Sequence, residues 1–257
     1  MDLELGGKVV LITGGSDGLG LALAARLVEE GASVAICGRD EERLREAESE
    51  LQAAGGDVLG VRADVSQASD LVAFVDAAVA RWGRIDGVVH NAGRAAAGPL
   101  ESVDDAAWES DIQLKLMAAV RLTRLTLPQL RARGGVVLFT LAMAAKAPGA
   151  ASEPSSVTRA AGMALMKALS KELAPDGIRV NAVLIGLIES GQWARRASSA
   201  AELAEFYQRF AKDAAIPLGR FGRAEEFADL GSYLLSARAS YLTGAAINLD
   251  GGLSPAV

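Results

Sequence analysis

Two rhythms of apolar and polar positions alternate along the 257-residue chain. Short apolar runs end in glycine-rich or polar turns, and longer stretches between them place apolar residues at three- and four-residue spacing. The runs at 8–12, 33–37, 58–62, 85–90, 136–141, 178–184 and 245–249 predict strands. The stretches 19–30, 41–54, 69–82, 104–133, 155–174 and 225–236 predict helices. Gly55-Gly56 stops the second helix, and Pro175 lies just past the fifth. Near-continuous apolar strands alternating with helices predict an α/β fold. The expected form is one doubly wound parallel sheet of about seven strands, with helices on both faces. No linker is long enough to divide the chain, so 1–257 is expected to form a single domain. The segment 189–222 breaks the rhythm and is expected to be a helical lid on the substrate side.

Composition narrows the function. Hydrophobic residues make up 51% of the chain, enough for a large core, while aromatics are only 5%. Abundant alanine therefore favours close helix packing over a wide aromatic pocket. A net charge of −6 argues against a nucleic-acid surface or an anionic membrane as partner. No apolar run is long enough to span a bilayer, and the acidic start lacks the n-region of a signal peptide. The single cysteine, Cys37, excludes an internal disulfide and fits a reducing, cytoplasmic setting. His90 is the only histidine, so a multi-histidine metal site is excluded and no metal is expected.

Candidate chemistry begins at Thr13-Gly14-Gly15-Ser16-Asp17-Gly18-Leu19-Gly20, between the first strand and the first helix. Glycines there permit a tight turn and close backbone approach to a pyrophosphate, and the helix N-terminus adds amide donors. This loop resembles that of the short-chain dehydrogenase/reductase family. Further motifs extend the resemblance over nearly the whole chain: Asp64-Val65, His90-Asn91-Ala92-Gly93, Gly177-Ile178-Arg179-Val180-Asn181-Ala182-Val183 and Asn248-Leu249-Asp250-Gly251-Gly252. The resemblance implies a Rossmann-type domain with cofactor contacts at Gly14, Ser16, Leu19, Asp64, Asn91, Gly93 and the backbone near Ile188. Asp17, Gly18, Gly20, Val65, Ala92 and Arg159 complete the candidate cofactor set. At the end of the second strand, Gly38 stands where an acid would bind the ribose hydroxyls of NAD, and Arg39 follows it. An arginine can hold the 2′-phosphate, so NADP(H) is favoured over NAD(H). Asp17 pulls the other way, because many NADP-preferring relatives carry a basic residue there.

The family's usual chemistry uses asparagine, serine, tyrosine and lysine. Local register, starting from Trp108 for the first of these, places the four positions at Lys115, Ala142, Ser155 and Arg159. The only tyrosines are Tyr207, Tyr233 and Tyr241, and none is followed by lysine four residues later. Serine is a far weaker acid than a tyrosine tuned by lysine. Candidate catalytic residues are accordingly Lys115, Glu153, Ser155 and Arg159. Glu153 is a candidate carboxylic acid or simply a helix-start acid beside Pro154. Lys115 is a buried acid or substrate anchor, or else an exposed helix lysine. Arg159 stays charged and can hold ribose, a carboxylate or an oxyanion. Ser155 or Ser156 as a nucleophile would need an adjacent base, which the sequence does not display, and Ser156 reads as packing or capping. His90 reads as a structural replacement for the motif's first asparagine. Lys146, Ser190 and Trp193 border the cleft or pack the lid.

These features imply an atypical NADP(H)-dependent oxidoreductase moving hydride to or from a small organic substrate, without the usual tyrosine–lysine pair. Acceptors that need no strong protein acid, such as an iminium or a conjugated enone, are compatible with that gap. Two alternatives remain open: a non-redox lyase, isomerase or hydrolase in the same pocket, and a catalytically silent nucleotide-binding subunit. Alanine-rich faces on the helices at 104–133 and 155–174 imply a homo-oligomer, tetramer or dimer.

Overall fold

The computed structural model of the protein describes residues 1–189 and 199–256. Its strands are β1 (Val9–Thr13), β2 (Ser33–Gly38), β3 (Val58–Arg62), β4 (Gly87–His90), β5 (Ala97–Gly98), β6 (Val136–Ala142), β7 (Glu153–Pro154), β8 (Arg179–Ile185) and β9 (Ala246–Leu249). The helices are α1 (Gly18–Glu29), α2 (Glu41–Ala53), α3 (Ala68–Trp82), α4 (Asp105–Ile112), α5 (Ala118–Arg131), α6 (Ser155–Glu172), α7 (Ala200–Asp213) and α8 (Ala224–Leu235). Seven strands form one parallel sheet in the order β3-β2-β1-β4-β6-β8-β9. The order reverses between β1 and β4. Outside the C-terminal ends of those two strands lies the crevice in which such sheets bind ligands.

Helices cover both faces of the sheet, so its strands are apolar throughout rather than alternating. All five residues of β1 are buried. Leu11 joins one core with Phe74, Leu122, Phe139 and Met166, under α3, α5 and α6. Its neighbours Val10 and Ile12 join the opposite core with Leu23, Leu27, Phe227 and Leu234, under α1 and α8. Where α1 and α8 cross, a Cβ at Gly231 would stand 3.0 Å from Leu23 Cδ1, so the small residue sets how closely they approach.

Two details differ from the sequence expectation. The helix expected over 104–133 is interrupted by a π-helical turn, Gln113–Met117, between α4 and α5. The two-residue strands β5 and β7 pair antiparallel, Ala97 with Pro154 and Gly98 with Glu153. Glu153 is therefore part of a small ribbon and not the first turn of α6. The lid expected over 189–222 contains α7, and its base is closed by Glu189 N–H to Gly222 O at 2.9 Å and Gly222 N–H to Leu187 O at 3.0 Å. Ser190 and Trp193 lie outside the described residues.

Candidate active site

The glycine loop is shaped by its neighbours as well as by its own freedom. Gly14 adopts φ +66°, a left-handed conformation that favours glycine, and a Cβ there would stand 3.0 Å from Ala92 Cα. Asn91 ties the loop to β4: its amide nitrogen donates to Thr13 O and Gly14 O, both at 3.0 Å. Thr13 Oγ1 accepts from the backbone N–H of Asn91 at 3.0 Å and of Ala92 at 3.1 Å. The start of α1 presses against this joint, since a Cβ at Gly20 would lie 2.2 Å from Gly14 O and 2.6 Å from Asn91 Nδ2. Thus Gly14, Gly20, Asn91 and Ala92 form one closely packed, hydrogen-bonded joint at the C-terminal ends of β1 and β4, next to Ser16 and Gly18.

The next two strands end beside it. Gly38 lies against Ser16, with room for no Cβ between it and the hydroxyl. Arg39 is exposed. At the end of β3, burial pushes the Asp64 carboxyl up, but hydrogen bonds from the Ser66 hydroxyl (2.7 Å) and amide (3.0 Å), with Arg39's charge, hold it below the usual range. Asp64 is thus an ionised acceptor, and Val65 beside it is buried. Ile188, shortly after β8, is bridged to Gly222.

A second cluster lies where α6 faces the π-helical turn. π-helical turns recur at functional sites. Here the turn carries Lys115, whose side chain is only 3% exposed; it is not a surface lysine. Its ammonium pairs with Asp111 at 2.6 Å and donates to Ser155 Oγ at 2.6 Å. Ser155 Oγ also accepts from the Ala96 N–H at 3.1 Å, a contact made as the chain enters the β5–β7 ribbon. A hydroxyl has two acceptor lone pairs and one proton. Both lone pairs of Ser155 are engaged, so its proton must be donated elsewhere. One turn on, Thr158 Oγ1 donates to Asp111 Oδ2 at 2.6 Å. Burial pushes Lys115's pKa down and the bond to Asp111 opposes this, while Arg159 and Arg94 add to the fall.

Arg159 donates to Thr140 O across the cleft. Its guanidinium occupies the space that a side chain at Gly93 would need. A cavity of about 20 Å³ between β4, β6 and the π-helical turn is lined by Lys115, Arg159, Thr140, His90 and Thr13. Thr140 Oγ1 is buried there with no hydrogen-bond partner. His90 Nε2 bonds to Thr123 Oγ1 at 2.8 Å, and its ring packs on Phe139 at 4.7 Å. Burial pushes its pKa down to about 3, so the imidazole is neutral.

The other candidates separate. Glu153 stands beside Ser155 in sequence, and its Oε2 is buried without a hydrogen-bond partner. Lys146 is committed to β9, donating to Ala246 O at 2.9 Å and Asn248 Oδ1 at 3.0 Å. Ser156 is buried and accepts from Ser152 Oγ at 3.0 Å. The group that the fold brings to Ser155 is Lys115, which donates to the hydroxyl and so stands there as an acid rather than as the base a serine nucleophile would need. Asp111, Thr140 and Thr158 were not singled out in the sequence; the only signal was Asp111 four residues before Lys115, a spacing shared by ordinary surface ion pairs. Among the described residues no group of histidine, cysteine or carboxylate side chains could hold a metal, and no helix is long and apolar enough to cross a membrane.

Comparison with known proteins places this geometry in context. Residues 14–254 match the family described as Enoyl-(Acyl carrier protein) reductase. The human protein Dehydrogenase/reductase SDR family member 4 is 32% identical, over 96% of this chain and 88% of its own. L-sorbose reductase from Gluconobacter frateurii, solved with NADPH and L-sorbose, superposes with a TM-score of 0.95 at 34% identity, covering 100% of both chains. An NADPH-bound short-chain oxidoreductase from Pseudomonas aeruginosa PAO1, described as containing an atypical catalytic center, superposes with a TM-score of 0.92 at 38% identity, over 97% of this chain and 98% of its own.

Proposed function

The chain belongs to the short-chain dehydrogenase/reductase family, and we propose that it is an NADP(H)-dependent oxidoreductase in which Lys115 and Ser155 replace the usual tyrosine–lysine pair. The NADPH held by the L-sorbose reductase and by the Pseudomonas oxidoreductase supports the cofactor. The residues present fit it. Gly18 adds no side chain to the open space before α1, where a Cβ would meet nothing within 4 Å, the α1 N-terminus offers amides, and Asp64 is an ionised acceptor. Ser16, Asp17, Gly18 and Leu19 would line the pyrophosphate, Arg39 the 2′-phosphate, Val65 the adenine, and Ala92, Gly93, Arg159 and Ile188 the nicotinamide end. When bound, NADPH supplies the hydride.

The protein's task is then the proton. One observation carries the reading: the Lys115 ammonium stands 2.6 Å from a Ser155 hydroxyl whose lone pairs are both occupied. Ser155 donates its proton to the oxygen that gains charge as a carbonyl or conjugated enone accepts hydride. Lys115 returns a proton to Ser155 and is left as an amine, which solvent reprotonates. The serine need never exist as a free alkoxide, because loss and gain occur along one hydrogen-bonded pair. Arg159 adds fixed positive charge near the developing oxyanion. Glu153 borders the substrate side.

The test is to follow NADPH absorbance against a panel of small ketones, enones and imines, with product analysis. Oxidation of NADPH in step with product supports the reading, and Lys115→Met should abolish most of it. Conversion of an ester or other substrate with no change in cofactor would overturn it in favour of a serine–lysine hydrolase. Tight NADP binding with no conversion of any panel member would favour a silent subunit.

A further inference from the structure

Asp111 touches neither substrate nor cofactor in the proposed chemistry, yet it meets both helices that carry the proton path. Its side chain is 1% exposed. One oxygen pairs with Lys115 Nζ at 2.6 Å, and the other accepts from Thr158 Oγ1 at 2.6 Å. Thr158 lies on α6 between Ser155 and Arg159, so this carboxylate bridges the lysine-bearing turn to the helix bearing the serine and the arginine. A buried ammonium is expensive unless paired. The groups facing Lys115 are unevenly charged. Arg159 from α6 and Arg94 from the segment after β4 repel it, Ser155 and Thr158 are neutral, and the His90 ring lining the same cavity is neutral. Asp111 is the carboxylate that opposes them. Burial pushes Lys115 toward the neutral amine, and the Asp111 bond works against that.

We propose that Asp111 is a positioning residue: it keeps Lys115 an ammonium ion, and through Thr158 it holds α6 in the register that sets Lys115 Nζ on Ser155 Oγ. The inference rests on the proton path proposed above for its catalytic meaning, but its physical content can be measured without turnover. Asp111 is thus what decides whether the lysine is an acid or a base at a given pH.

The experiment titrates Lys115 by NMR of isotope-labelled lysine in the full chain, with Lys115→Met to assign the signal. In Asp111→Asn the shape and the Thr158 contact persist while the charge is gone. The Lys115 titration should then fall by roughly 1–3 pH units. The high-pH limb of kcat/KM for NADPH-driven reduction should move down with it, and Asp111→Glu should restore most of the shift. Thr158→Val leaves the charge and loosens the register, so kcat should drop at least ~10-fold while Lys115 titrates near its original pH. An unchanged Lys115 titration in Asp111→Asn overturns the charge role, and an unchanged kcat in Thr158→Val overturns the register role. Should Asp111→Asn not fold, Asp111→Glu decides the charge role: retained Lys115 titration supports it, and a fall as large as that expected of the neutral variant overturns it. If Lys115 moves as expected but no substrate oxidises NADPH even in the unaltered protein, the function proposed above fails and the role of Asp111 stands.

Discussion

Arg159 passes so close to Gly93 that a Cβ there would stand 2.8 Å from Nη2 of the guanidinium. The glycine of the Asn91-Ala92-Gly93 motif is thus shaped by an arginine 66 residues later, which spans the space to Thr140 O. Gly93→Ala should push the guanidinium off that carbonyl. The arginine tip is flexible, so the stability cost should stay near ~1 kcal/mol, at the low end for overpacking. A double-mutant cycle in urea separates the causes. In an Arg159→Ala background Gly93→Ala should cost almost nothing; an equal cost in both backgrounds would show that the contact is irrelevant.

Lys115→Met should lower kcat for NADPH-driven reduction by ~10²–10⁴-fold, the usual range for a lost acid. NADPH affinity, measured by fluorescence titration, should change little, because no part of Lys115 belongs to the proposed nucleotide contacts. Ser155→Ala should produce a similar fall, and the double variant should be no worse than the worse single one if the two act in series. Additive losses would show that they act independently.

Much of the scaffold could be read along the chain because its signals are contiguous. The apolar runs became the seven strands of the parallel sheet, and the loop at 13–20 became the turn before α1. Lys115 could be placed by counting from Trp108, and Ser155 and Arg159 by counting back from Glu172. What escaped depends on contacts between distant segments. Asp111 four residues before Lys115 looks like any helix-surface ion pair until the two side chains are seen to be buried. Thr158 gains meaning only from the helix it faces. A π-helical turn has no sequence signature, and β5 and β7 are too short to show a period. Glu153 accordingly read either as a candidate carboxylic acid or as a helix-start acid, and pairing with Gly98 places it in the ribbon instead of at the helix start.

Arg39 is exposed at the end of β2, and its charge already reaches Asp64. Arg39→Asp should weaken NADP binding by ~10–100-fold, as expected for charge-assisted hydrogen bonds worth about 1.5–3 kcal/mol. NAD binding should hold or improve, since the new carboxylate suits ribose hydroxyls. Calorimetric titration of both cofactors checks this. Unchanged NADP affinity would remove the basis for preferring the phosphorylated cofactor.

His90 offers a pH test that does not involve catalysis. Its folded pKa is lowered to about 3 by burial, from an ordinary value of 6.5. Between those values the unfolded chain binds a proton that the folded protein refuses, so stability rises with pH. The contribution is therefore full above about pH 6.5 and is lost as pH falls toward 3. The slope is at most ~1.4 kcal/mol per pH unit for one proton. No other histidine titrates in the upper part of this window, and most carboxylates titrate below it. Urea midpoints measured from pH 7 down to pH 5 should fall steadily in the unaltered protein. His90→Asn can retain a hydrogen bond toward Thr123 and carries no proton to refuse, so its midpoint should be nearly flat over that interval. Equal slopes in the two proteins would mean that the ring is protonated within the fold. Its packing on Phe139 would then have to accommodate a charge that the surroundings give it no partner for.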